Sequence, residues 1–314
     1  MQYHRLGNTD ILVSELCFGT LTMGPLQRNL SVKDGAELLE LAFSRGVNFL
    51  DTAEIYGTYP YVKQALRSKP DAVVCTKSYS YDTATAQASF AKAVQGIGRE
   101  YIDIYLLHEQ ESIHTIRGHW EAIEFLLRKK EQGYIGAVGL STHYVACVEA
   151  ACRYPELEIL FPLINYTGVG IADGTREDMM RAVKKAKAAG KGLFAMKPLG
   201  GGHLIGEREK ALSFIRSQRE FDSVAIGMQT KAEVLLNCAL FSDEPIPEEL
   251  QRQVAAQPRK LLIQDWCEGC GACVNRCKNH AMQLENGRAV VRQEQCALCG
   301  DCASACPQFC IKVI

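Results

Sequence analysis

No stretch of about 18 consecutive apolar residues occurs in this 314-residue chain, so a bilayer-spanning helix is excluded. Charge of one sign is also missing. The formal net charge is −1, too small to build the field that draws nucleic acid or an anionic membrane. The opening residues, MQYHRLGNTD, lack the apolar core of a signal peptide. These absences predict a cytoplasmic protein in a reducing compartment, with neither nucleic acid nor membrane as partner. No G-x-G-x-x-G follows an apolar strand, so a doubly wound dinucleotide fold finds no support in its usual fingerprint.

Cysteine, by contrast, is abundant and unevenly placed. Of the 14 cysteines, Cys17, Cys75, Cys147, Cys152 and Cys238 stand singly among apolar or helical neighbours and read as inert core residues. The rest crowd into residues 267–310 and mark a second domain. Cys267, Cys270, Cys273 and Cys277 form C-x2-C-x2-C-x3-C, and Cys296, Cys299, Cys302 and Cys306 repeat it, followed by Pro307. The flanks repeat too (CEGCGACVNRC, CALCGDCASAC), which identifies an internal duplication. Zinc knuckles come as well-separated cysteine pairs, and three cysteines at x2 intervals suit a tetrahedral zinc poorly. The spacing is that of the bacterial iron–sulfur run. Residues 261–314 resemble bacterial two-[4Fe–4S] ferredoxins, apart from Lys278, where that family usually has proline. The resemblance implies that Cys267, Cys270, Cys273 and Cys306 hold one cubane, and Cys296, Cys299, Cys302 and Cys277 the other. Cys310 is left over and reads as a core cysteine.

The region before it alternates strand and helix. Residues 3–14 read as a hairpin turning at Gly7-Asn8-Thr9-Asp10. Eight short apolar runs follow, near 16–20, 48–51, 72–77, 102–108, 137–141, 158–165, 193–199 and 223–227, nearly all trailed by a stretch of helical periodicity. Continuous apolar strands suit a parallel sheet covered on both faces. Eight such units predict an α/β fold, a (β/α)8 TIM barrel. A doubly wound sheet is the other arrangement open to βα alternation. The expected organisation is a barrel over residues 1–241, a linker and helix over 242–260, and a small α+β ferredoxin-like domain over 261–314.

Polar residues gather where those runs end. Asp51 and Tyr56 follow the second, Lys77 ends the third, and His108 ends the fourth. In a barrel these ends share one mouth, where active sites sit. Taken singly, each has a dull reading as a helix cap, a solvated lysine or a core histidine. Together they suggest acid–base chemistry. Phe18-Gly19-Thr20, DTAEIYG at 51–57, Thr76-Lys77, YIDIYLLH at 101–108, GLS at 139–141 and PLGGG at 198–202 stand in the order and spacing of the aldo-keto reductases, which residues 1–240 resemble. The resemblance implies a catalytic tetrad of Tyr56, Lys77, His108 and Asp51. Tyr56 would protonate the carbonyl oxygen as a nicotinamide delivers hydride. Lys77, held by Asp51, would lower the phenol pKa, and His108 would orient the carbonyl.

The same resemblance implies NADP or NAD on the rim. Gly19 and Thr20 would lie beside it, Ser141 and Thr142 at the carboxamide, and Met196 and Pro198 near the nicotinamide. The Gly200-Gly201-Gly202 loop and Gly227 would lie at the phosphates, or be plain turn glycines, and Leu199 is a further cofactor contact. Glu233 falls where many members carry a phosphate-gripping arginine, with Lys231 to compensate and Asn237 nearby. The expected substrate is a small-molecule carbonyl or alcohol. Because a hydride carries two electrons and a cubane moves one, communication between domains requires a mediator such as a flavin or a radical-stabilising substrate, and a redox partner protein is a further expected partner. An electron-carrying or redox-sensing protein with a ligand-binding barrel is the alternative.

Overall fold

A computed structural model describes all residues, 1–314. Its hairpin pairs β1 (Tyr3–Arg5) with β2 (Leu12–Ser14). Eight parallel strands then close a barrel in chain order: β3 (Leu16–Gly19), β4 (Phe49–Asp51), β5 (Val73–Ser78), β6 (Ile102–Leu107), β7 (Ile135–Thr142), β8 (Ile159–Pro162), β9 (Gly192–Ala195) and β10 (Ser223–Gly227), with β10 returning to pair β3. The doubly wound alternative is thereby excluded. The strand expected over 158–165 stops at Pro162, and a short helix, Ile113–Gly118, follows β6 where none was anticipated.

Strand alternation divides the apolar residues into two layers. One set, including Leu50, Val74, Tyr105, Leu107, Val138 and Leu140, faces the helices in a shell of 51 buried residues. The other fills the barrel with 16, among them Phe49, Cys75, Ile104, Phe161 and Phe194. Phe161 stacks on Phe194 at 3.8 Å, and Phe49 packs on Phe194 at 5.0 Å. Both ends of this interior are plugged. Leu6 and Val13 of the hairpin close the N-terminal end, and Phe309, from the cysteine-rich region, closes the mouth.

The small domain pairs β11 (Leu261–Ile263) with β14 (Ile311–Val313), and β12 (Met282–Glu285) with β13 (Arg288–Val291). Helices Ala272–Arg276 and Asp301–Ala305 sit at equivalent places in the two cysteine motifs, so the duplication is structural as well. The preceding helix, Glu248–Ala255, packs on the last barrel helix, Lys231–Phe241.

The joint between barrel and small domain explains the triple glycine. A Cβ on Gly202 (φ +95°) would lie 2.1 Å from the Val313 carbonyl oxygen, and one on Gly201 (φ +66°) would meet Lys312. His203 Nε2 lies 2.9 Å from the Ile311 carbonyl oxygen. The loop expected at the phosphates is therefore first a seat for β14. Gly202→Ala combines left-handed strain with a clash on backbone and is expected to lower stability by about 1–3 kcal/mol. Denaturant unfolding of the cluster-loaded protein checks it.

Candidate active site

Alternation along the strands positions the polar residues. Phe49, Val73, Cys75, Ile104 and Leu106 all face the barrel interior. Two residues further along the same faces come Asp51, Lys77 and His108, so each forms the top of the interior stack. Tyr56 arrives from a 3-10 turn, Glu54–Tyr56, closed by Gly57 in the left-handed region (φ +67°). A hydroxyl relay fixes that loop: Thr58 lies 2.8 Å from both Thr20 and Thr52. Thr20 is fully buried in this relay and supports the Tyr56 loop.

The four expected residues do come together. Lys77 Nζ donates to Asp51 Oδ1 at 2.5 Å and to the Thr52 carbonyl at 2.8 Å. The same ammonium lies 5.0 Å from the Tyr56 ring centroid. Tyr56 meets His108 edge-on, with centroids 5.7 Å apart. Tyr79, unremarked in the sequence, stacks on the His108 ring at 4.5 Å, its hydroxyl bound to Glu109. His108 Nδ1 is buried without a partner.

The electrostatics depart from expectation at one point. Lys77 was expected to lower the Tyr56 pKa. Instead Lys77 spends its hydrogen bonds on Asp51 and Thr52, and the Tyr56 phenol is pushed well above its ordinary value by burial, then by the Asp51 and Glu109 carboxylates. Burial likewise raises Asp51 against the pull of Lys77. Burial, then Lys77 and Lys197, depress His108 well below the usual imidazole value, so it is neutral near pH 7. The Tyr56 side chain as a whole is only half-buried.

An open recess lies beside Asp51 and Tyr56. Of the expected cofactor contacts, Gly19, Met196, Pro198, Leu199, Gly227, Glu233 and Asn237 line it. Thr20, Ser141, Thr142, Gly200 and Lys231 do not. Ser141 Oγ accepts from the Glu109 N–H at 2.9 Å. Thr142 shares the parity of Val138 and Leu140, so it leaves the sheet on the helix side, and its hydroxyl accepts from Tyr144 N at 2.9 Å. Gly200 is buried against Val169 and Leu204. Lys231 lies on the surface, 3.0 Å from Glu37. The positive charge at the far end comes instead from Arg208 and Arg259, the latter reaching in from the interdomain segment to pair with Glu233. Sequence spacing gave no signal for Arg259, because its place depends on how that segment folds back. Asn237 Oδ1 is buried in the lining without a partner, an acceptor waiting for a donor. The recess thus joins an apolar wall to two arginines and an orphaned amide oxygen, while Ser141 and Thr142 lie outside it.

The eight motif cysteines separate into two cavities. Cys267, Cys270, Cys273 and Cys306 line one, together with Cys310. Cys296, Cys299, Cys302 and Cys277 line the other. Ala289 N donates to Cys267 Sγ at 3.4 Å, and Ala281 N to Cys277 Sγ at 3.3 Å. Against the upward push of burial, backbone N–H groups of Ala289 and Gly269 pull the Cys267 thiol below its ordinary value. No three ligating groups converge on one point as a single ion needs. Thiolates spread around a cavity suit a cubane, which places each on a different iron.

The sequence profile described as "Aldo/keto reductase family" matches residues 15–253, and that described as "4Fe-4S dicluster domain" matches residues 259–307. The "Uncharacterized oxidoreductase YrpG" of Bacillus subtilis is 22% identical over 249 residues, covering 71% of this chain and 74% of the relative. L-galactose dehydrogenase of Arabidopsis thaliana is 22% identical over 289 residues, covering 77% and 89%. Among solved structures, the holo form of aldo-keto reductase AKR11C1 from Bacillus halodurans superposes with a TM-score of 0.65 at 19% identity, covering 81% of this chain and 95% of that one.

Proposed function

The chain belongs to the aldo/keto reductase family and carries a 4Fe-4S dicluster domain, and from that premise we propose that it reduces a small-molecule carbonyl, or oxidises the corresponding alcohol, with NAD(P)H bound in the cavity beside Tyr56. The observation that carries the reading is the convergence of Asp51, Lys77, Tyr56 and His108 at one barrel mouth, with Tyr56 on the wall of an open recess. A nicotinamide held there supplies the hydride. The chain's own residues do the rest. Tyr56, whose pKa is raised, keeps its proton until charge develops on the carbonyl oxygen and then donates it. Neutral His108 orients that oxygen by hydrogen bonding, its ring held by stacking on Tyr79. Lys77 and Asp51, locked together, set the field in which the phenol works.

Arg208, together with Arg259 held in place by Glu233, favours a cofactor bearing a 2′-phosphate. Arg259→Met is expected to raise the KM for NADPH about tenfold and to move that for NADH less. Steady-state turnover of an aldehyde panel by anaerobically purified protein, with each cofactor in turn, tests both the activity and this preference. No consumption of either nicotinamide with any carbonyl or alcohol rejects the reading.

A second reading rests on Phe309. Only three residues beyond Cys306, it fills the barrel mouth, so one cluster cavity and the barrel cavity are neighbours. In that reading the cavity holds a flavin-class mediator that exchanges single electrons with the clusters. Reduction of the clusters by NADPH only when flavin is added favours it.

A further inference from the structure

Two lysines at the mouth have no part in the chemistry above. Lys312 enters from β14, is 6% exposed, and donates to the Phe309 carbonyl at 2.5 Å. Lys197 follows β9 and lies 2.8 Å from His143 Nε2. Both line the cavity, and they face the Phe309 ring at 3.1 and 5.3 Å from its centroid. Neither forms an ion pair with a carboxylate. Asp51 is taken by Lys77. Glu109, the other acid at the mouth, binds the Tyr79 hydroxyl and stands 3.6 Å from His143. On its far side Lys312 faces the Cys306 end of the small domain, and both lysines feel the Glu109 carboxylate without pairing with it. Lys312 is buried and Lys197 half-buried, each lining the cavity with no carboxylate at ion-pair distance, so an anion entering there would meet two free cationic side chains.

The backbone adds a second, independent sign. Eight non-glycine residues have positive φ, and Asn29, Asp243, His280 and Asn286 are of types that tolerate it. Of the other four, Glu109 (φ +49°), Lys197 (φ +56°) and Phe309 (φ +46°) ring this one mouth. Strain gathered in one place marks a site whose side chains are held for a ligand.

We propose that Lys197, with Lys312 across the Phe309 ring, forms an anion site that takes a carboxylate carried by the carbonyl substrate. The substrate class is then an oxo-acid, with its carbonyl at Tyr56 and its carboxylate at Lys197. The proposal rests on the reductase reading for the carbonyl half, but the anion site can be measured without turnover.

The test uses the cluster-loaded full chain under anaerobic conditions. Aliphatic oxo-acids are compared with their methyl esters, and a saturated dicarboxylate, succinate, is titrated calorimetrically with and without NADPH. Wild type is expected to prefer acid over ester by about 10- to 100-fold in kcat/KM, as for a charge-assisted hydrogen bond. Lys197→Met is expected to remove most of that preference and weaken succinate binding, with Lys312→Met doing the same to a smaller degree. Removing a buried charge relieves desolvation, so both variants should fold; retained cluster absorbance checks this. Succinate is expected to bind alongside NADPH. Competition between the two assigns the lysines to the dinucleotide phosphates and overturns the proposal. Turnover of acid and ester at equal rates also overturns it while leaving the reductase intact. Succinate binding that depends on Lys197, without any carbonyl turnover, upholds the anion site and rejects the reductase.

Discussion

Replacing Tyr56 by phenylalanine is expected to lower kcat for carbonyl reduction by about 10²- to 10⁴-fold, the usual contribution of a positioned acid. The structure makes this a clean substitution. Tyr56 contacts its neighbours through its ring, edge-on to His108 and beneath the Lys77 ammonium, and those contacts survive in phenylalanine. Its hydroxyl has no hydrogen-bond partner within the protein, so none is broken. The melting temperature and both clusters should be unchanged. Single-turnover kinetics with a saturating nicotinamide report the step directly. A kcat within tenfold of wild type removes Tyr56 from the acid role. Because Lys77 is bonded to Asp51 and not to the phenol, the effect of Lys77 on acidity acts through space and is the weaker link in the tetrad.

Replacing Cys277 by alanine is expected to cost about half the iron, from about eight to about four atoms per chain. The cubane lost should be the one facing Cys296, Cys299 and Cys302, although Cys277 belongs in sequence to the first motif. The cavity those three share with Cys277 contains no spare cysteine to take its place. The other cavity does hold a spare: Cys310 Sγ lies 3.4 Å from Cys306 Sγ, so a Cys306 variant is open to rescue and is the poorer experiment. Alkylation followed by peptide mapping distinguishes the two cubanes. Newly reactive Cys296, Cys299 and Cys302, with Cys267, Cys270 and Cys273 still protected, supports the crossed ligand sets. The reverse pattern means each motif serves its own cluster.

Much of this was legible in the chain. Period-two and period-3.6 apolar patterns reflect burial within one element, so the eight strands and their order could be read from them. The cysteine spacings are local too, and so was the expectation that Asp51, Lys77 and His108 share a rim, because each ends a strand of one parallel sheet. Ser141 and Thr142 show where that reasoning stops. Their strand was placed rightly, yet one side chain is consumed by the Glu109 backbone and the other leaves on the opposite face of the sheet.

The sequence by itself determined the barrel, the duplicated iron–sulfur motif and the residues at the strand ends, since hydrophobic periodicity and fixed spacing are properties of neighbours along the chain. Only the tertiary structure decided what surrounds them: that Phe309 and Lys312 of the small domain complete the barrel mouth, that Arg259 supplies the charge Lys231 was expected to give, and that the glycines at 201 and 202 make room for β14. Those contacts join residues some 26 to more than 100 positions apart. No local pattern encodes them, because the burial and charge balance that select them exist only once the two domains have closed on each other.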